Sequence, residues 1–195
     1  MKKLLITGFD PFGGQKINPS WQSVLALEDR IGEYNITKLE IPTVFNKGAN
    51  LVLKKAEEIK PDVIICIGQA GGRIGVTPEV VAINLKEAEI ADNEGYKPIN
   101  SPIIADGKNA YFSTLPIREM VDAIKKEGVP TGLSYSAGTF VCNEVLYTLL
   151  HHFNGTNVRV GFIHVPFLPE QTDGSKPSLE KEQIVKALTT AIKVL

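Results

Sequence analysis

Cys142 lies in the stretch SAGTFVCNEVLYTLL, near the start of a segment with helical character that is entered through Ser136-Ala137-Gly138. A thiol in the first turn of a helix sits among unpaired N–H groups and at the positive end of the helix dipole, an environment that favours the thiolate. That would make Cys142 a nucleophile; the other reading is a small buried hydrophobe. His164, in VGFIHVP, shares strand parity with Val158, Val160 and Phe162. Its imidazole therefore falls on an apolar face near the carboxyl end of the strand, as a general base or as a packed core histidine. Glu79 follows a Gly-rich loop and opens an otherwise apolar strand, where its carboxylate either orients an imidazole or merely marks the strand entrance. Together the three supply a nucleophile, a base and an orienting group for acyl transfer.

Other candidates carry less. Cys66 is embedded in DVIICIG, with apolar neighbours on both sides, and reads as an inert packed thiol. His151 and His152 close a helix and complement its dipole. The segment GQAGGRIG lacks GxGxxG spacing and no Gly-Lys-Ser/Thr follows, so a nucleotide site has only generic Gly-rich turns behind it. The three histidines form no HExxH pair and the acidic residues show no metal-ligand spacing.

The elements that must position these residues alternate between strand and helix. Strands are expected over Lys2 to Thr7, Tyr34 to Ile41, Asp62 to Gly68, Glu79 to Leu85, Thr131 to Tyr135 and Val158 to Val165. Helices are expected from Pro19 to about Ile31, with Asn18 as N-cap, and over Asn46 to Lys60, Pro116 to Glu127, Thr139 to about Phe153 and Leu179 to Val194. Residues 86 to about 113 are polar and rich in Asn, Pro and Gly, and read as a long loop or a small hairpin. This alternation predicts an α/β fold, a three-layer α/β/α sandwich around a mostly parallel twisted sheet. Sites in such sheets gather beyond the carboxyl ends of the strands.

Bulk properties narrow the classes. The chain has 195 residues, 43% of them hydrophobic, which is enough for one domain spanning 1–195. The 21 basic and 22 acidic residues balance, so no nucleic-acid track or basic membrane patch is expected. The run Leu4-Leu5-Ile6 is too short for a signal core, no apolar stretch is long enough to span a membrane, and two cysteines make no disulfide framework. A soluble cytoplasmic protein is the expectation.

Four longer motifs contain the residues above: GFDPFGG with Asn18-Pro19, GQAGGR leading to Pro-Glu79-Val-Val-Ala-Ile-Asn84, SAGTFVCN, and GFIHVPFLPEQ. In this order, from residue 6 to about 171, they resemble the pyroglutamyl peptidase I (pyrrolidone-carboxylate peptidase) family. The resemblance implies a cytoplasmic cysteine peptidase, without cofactor and commonly a homotetramer, that removes N-terminal pyroglutamate from peptides. By position it makes Cys142 the nucleophile, His164 the base and then the acid, and Glu79 the residue that orients it. Phe9 and Phe12, on a tight Gly/Pro turn, suit the faces of a flat, neutral lactam, a use the resemblance also implies, with ordinary loop packing as the other reading. Gln69 is a candidate hydrogen-bonding partner from the neighbouring loop, and Phe140 and Val141 are candidates to close the pocket. Two positions depart from the pattern: Glu89 and Val80 stand where the family usually has Arg. A carboxylate at Glu89 is expected to repel the thiolate, with Arg73 as a compensating charge. The departures motivate an alternative, a catalytically impaired relative that binds lactam ends without efficient cleavage.

Overall fold

The computed structural model describes residues 1–195. Its main sheet has six strands in the order β2-β3-β1-β4-β8-β5. The strands are β1 (Lys2–Phe9), β2 (Arg30–Ile31), β3 (Tyr34–Ile41), β4 (Val63–Gln69), β5 (Thr77–Pro78) and β8 (Arg159–Val165). Strands β3, β1, β4 and β8 run parallel, while the short β2 and β5 are antiparallel at the edges. A separate antiparallel pair joins β6 (Val81–Ile83) to β7 (Ala110–Phe112).

Both faces of the parallel strands are covered, which explains their unbroken apolar runs. On β4, Val63, Ile65 and Ile67 face one core cluster, while Ile64 and Cys66 face the other. The first cluster packs beneath α1 (Pro19–Leu25), α3 (Ile117–Lys126) and α5 (Lys181–Lys193). The second packs beneath α2 (Lys47–Ile59) and α4 (Val141–His152). The result is the expected three-layer sandwich. No helix is long and apolar enough to cross a membrane.

Chain order places the site. From β1 the chain moves to β3 on one side, and β4 then returns to the other side of β1. The strand order reverses between β1 and β4, and it is beyond the carboxyl ends at such a switch point that sheets of this kind bind ligands. Phe12 lies in the loop that leaves β1, and Gln69 is the last residue of β4.

Several elements differ from the sequence expectation. Helix α1 stops at Leu25, not Ile31, because Ile31 is buried and pairs with Tyr34 across a tight turn. Gly32, at φ +57°, allows that turn. The strand expected over 79–85 shrinks to β6, since only 81–83 find a partner in β7. Thr131 to Tyr135 forms no strand: Thr131 and Ser134 make single parallel bridges to Val76 and Glu79. Residues 86–113 combine the small hairpin and the long loop, with β7 at one end. The Asn84 side chain secures that loop, donating to Ile104 O at 2.8 Å and accepting from the Ile103 and Ile104 N–H groups.

Candidate active site

His164 lies next to the carboxyl end of β8, in register with Gly68 of β4. Its Nδ1 is 2.7 Å from Oε1 of Glu79, and both side chains are almost wholly buried. An ionised carboxylate accepts only, so Nδ1 carries the proton and Nε2 is left as the basic nitrogen. Glu79 is held beside β8 by its own backbone, whose N–H donates to Phe162 O at 2.9 Å.

Cys142 is the second residue of α4, and the first intrahelical bond runs from Glu144 N to Phe140 O. The N–H of Cys142 therefore has no helical carbonyl to serve. Asn143 latches this first turn in place. Its Oδ1 accepts from Ile83 N at 3.0 Å, and its Nδ2 donates to the carbonyls of Ile83 and Leu85, each at 2.9 Å. The latch fixes the thiol over the sheet. A Cβ built on Gly68 would lie 3.1 Å from Sγ of Cys142 and 2.6 Å from the Phe162 ring. The Phe162 ring centroid is in turn 4.7 Å from that of His164. Only glycine at 68 lets the sulfur sit directly above the residue that neighbours His164.

Electrostatics at the site favour neutral partners at rest. Burial pushes the Cys142 thiol up to about 12, and the Glu79 charge adds to this, although the residue keeps partial solvent access. This runs against the thiolate that a helix start favours: removal from water and a nearby carboxylate both raise the thiol. Burial also lowers His164 below its ordinary 6.5, while the hydrogen bond and charge of Glu79 act the other way. Glu79 itself is pushed up by burial, but His164, Ser134 and Arg73 together hold it below the usual carboxylate value.

Arg73 has a role that sequence reasoning assigned only as compensation for Glu89. Its guanidinium donates to Glu79 Oε1 at 2.8 Å, to Thr77 Oγ1 and to Ser136 O at 3.1 Å. It thus ties the carboxylate to the turn that leads into α4, and its charge lowers the thiol pKa. Glu89 is exposed, and the groups whose charges act on the thiol are Glu79, Cys66 and Arg73. The expected repulsion from Glu89 is not part of this site. Val80 is half-buried, its N–H donating to Ser134 O at 2.7 Å.

The remaining candidates differ in how they are placed. Phe12 is half-buried and packs on Phe140 with ring centroids 6.1 Å apart, and Phe140 meets Phe45 edge-on at 5.3 Å. Phe9 is only 2% exposed and packs 6.2 Å from Phe162, so it backs the site from within the core. Val141 is fully buried at the helix start. Gln69 is half-buried at the end of β4 and accepts from Gln171 Nε2 at 2.9 Å.

The aromatic loop is held by residues that sequence reasoning passed over. Asp10 Oδ1 accepts from Thr43 N at 2.7 Å, and Asn18 Nδ2 donates to Asp10 O at 2.9 Å. Asn93 reaches from the long loop to Pro11 O, also at 2.9 Å. The signal in sequence was faint: polar residues in a Gly/Pro-rich turn bond locally in many ways. Asn18 was the exception, and its Oδ1 accepts from Ser20 N as the cap expects.

A thiol, a carboxylate-oriented imidazole and an unpaired helix-start N–H define a cysteine-type hydrolase. The pyroglutamyl peptidase family matches residues 2–195, and this chain belongs to it. The pyrrolidone-carboxylate peptidase of Bacillus licheniformis is 53% identical over 194 residues, covering 97% of this chain and 90% of that protein. The crystal structure of Bacillus amyloliquefaciens pyroglutamyl peptidase I matches with a TM-score of 0.95 at 48% identity, covering 99% of this chain and 96% of that one. Pyrrolidone carboxyl peptidase from Thermococcus litoralis matches equally well in fold, with a TM-score of 0.95 at 37% identity, over 100% of this chain and 93% of that one.

Proposed function

We propose that Cys142, His164 and Glu79 form the catalytic triad of a peptidase that releases N-terminal pyroglutamate from peptides. The observation that carries this is the Nδ1–Oε1 hydrogen bond of 2.7 Å, which leaves Nε2 of His164 basic beside a thiol lodged over Gly68. Nε2 takes the proton of Cys142, and the resulting thiolate adds to the pyroglutamyl carbonyl carbon. The N–H of Cys142 donates to the developing oxyanion. Collapse of the tetrahedral adduct breaks the C–N bond, and the imidazolium gives its proton to the departing amine. A thioester remains. Water then attacks it, losing a proton to Nε2, and pyroglutamic acid and the thiol are released.

The thiol, imidazole and carboxylate supply the whole of this chemistry, so the reaction calls for no cofactor or metal. Substrate recognition rests on Phe12 and Phe140, with Phe9 and Val141 packed behind and Gln69 as the polar partner of the lactam. Pyroglutamate carries no α-ammonium group, which fits a crevice of aromatic rings and amides. We also take the chain to be a single domain, cytoplasmic, and a homotetramer, as its kinship suggests.

The test is release of chromophore from a pyroglutamyl anilide. The wild type is expected to hydrolyse it and Cys142→Ser to leave it intact; an undiminished rate in Cys142→Ser would refute the reading. Binding of a pyroglutamyl peptide without turnover would support the impaired alternative, which no feature of the site favours.

A further inference from the structure

Beside the proposed lactam pocket two glutamine side chains meet, and their orientation is decided by the backbone around them. Leu168 N–H lies 3.0 Å from the Gln171 amide. A backbone N–H can only donate, so the facing atom must be Gln171 Oε1. The other amide atom, Nε2, then faces Ile17 O at 3.3 Å, and a backbone carbonyl can only accept. The assignment is therefore fixed at both ends. The same Nε2 is 2.9 Å from Gln69, so the Gln69 atom that meets it must be Oε1. Turning either amide over would set donor against donor or acceptor against acceptor.

The consequence falls on the far side of Gln69. Its NH2 group makes no hydrogen bond within the chain, and it belongs to the residue directly after Gly68, over which the thiol lies. We infer that Gln171 is a positioning residue that locks the Gln69 amide so that its NH2, and not its carbonyl, meets the lactam of the substrate. This rests on the reading of Gln69 as the lactam partner. An NH2 group pairs with the lactam carbonyl and opposes the lactam N–H, so the pair selects which edge of the ring is read. It also gives a basis for rejecting an N-terminal prolyl residue. Proline has the same five-membered ring, but it lacks the carbonyl and carries a cationic nitrogen that an NH2 group repels.

The informative substitution is Gln171→Glu. The new carboxylate still accepts from Leu168 N–H, but it can donate neither to Gln69 nor to Ile17 O. Gln69 then turns its NH2 towards the carboxylate and shows its carbonyl to the pocket. For a pyroglutamyl anilide, kcat/KM is expected to fall roughly 10- to 100-fold, the scale set by losing one buried hydrogen bond and leaving a group unmatched. The loss should appear mainly in KM, while alkylation of Cys142 by iodoacetamide keeps its rate. Acidification should restore part of the activity relative to wild type, because a protonated carboxyl can again donate. Gln69→Ala should weaken pyroglutamyl substrates comparably, and the double variant should lose no more than either single one.

The outcomes separate the two claims. If Gln69→Ala is impaired and Gln171→Glu behaves as wild type, or if the two losses add in full, the positioning inference is wrong and the role of Gln69 stands. If Gln69→Ala has wild-type KM and kcat, the lactam reading itself fails, and the inference with it.

Discussion

Cys66 and Cys142 belong to the same side of the sheet, and burial pushes both thiols up to about 12. Their resting acidity does not distinguish them. Cys66 sits in the middle of β4, fully buried, with the Thr7 hydroxyl as its polar neighbour. Cys142 sits at a helix start with partial access to solvent, beside an imidazole whose free nitrogen is basic and a backbone N–H with no helical partner. Reactivity here depends on what can take the proton and what can meet the charge that follows. In the proposed mechanism a low standing pKa is not required, since Nε2 of His164 takes the thiol proton as the sulfur adds to the substrate carbonyl.

Substituting the two cysteines sets the widest contrast. Cys142→Ser should lower kcat by at least about 10³-fold, as expected for loss of a nucleophile from a triad. Cys66→Ser should leave kcat within roughly twofold, but lower stability by about 1–3 kcal/mol through an added buried hydroxyl. Steady-state kinetics and urea denaturation of both variants would check this. If Cys66→Ser abolished turnover in a folded protein, the contrast would be broken.

Glu79→Gln should reduce kcat by roughly 10²–10⁴-fold through loss of the oriented tautomer. The pH profile sharpens the point. His164 must be neutral to accept the thiol proton, so activity should fall with acid only below the ordinary histidine value of 6.5. Glu79 raises the His164 pKa, and its neutralisation should move this acid limb lower still. Arg73→Met should have a smaller effect, about 10-fold, as is usual for residues that orient a reacting group. Because Arg73 lowers the His164 pKa, its removal should move the limb upward, opposite to Glu79→Gln. Equal shifts of the same sign would contradict the geometry.

Glu144, two residues beyond the thiol, should affect stability more than rate. Its Oε1 accepts from Asn46 N at 3.0 Å, while burial raises its carboxyl to about 7. The folded state thus holds this proton more tightly than the unfolded chain. The stability it contributes is present below about 4.5 and is lost as pH rises through 7. Glu144→Gln should gain on the order of 1–3 kcal/mol over wild type at pH 8 relative to pH 5, seen as a difference in melting temperature.

Much of this arrangement can be read from the sequence, for identifiable reasons. Apolar runs such as Asp62 to Gly68 predict buried parallel strands because both faces must be covered. The parity of Val160, Phe162 and His164 places the imidazole on the face beneath α4, where the structure has it. What escapes depends on tertiary pairing. Ile31 leaves a helical pattern for a hairpin with Tyr34, and Glu79 is held by a hydrogen bond to Phe162 O of β8 and a single bridge to Ser134 instead of a continuous strand. The thiolate expectation for Cys142 fails because burial and the charge of Glu79, which comes from a distant part of the chain, both raise the thiol. Arg73, Asn143 and Gln171 lie within motifs that sequence singles out, yet their roles follow from hydrogen bonds that composition and spacing do not encode.

The most direct test of the central claim is to trap the acyl-enzyme. A pyroglutamyl ester or anilide mixed with the protein, quenched in acid before the steady state and followed by peptide mapping, should place one pyroglutamyl group on the peptide that contains Cys142. The adduct should be absent from Cys142→Ser and present in Cys66→Ser. A label on Cys66 or on no cysteine, during turnover that persists in Cys142→Ser, would contradict the account.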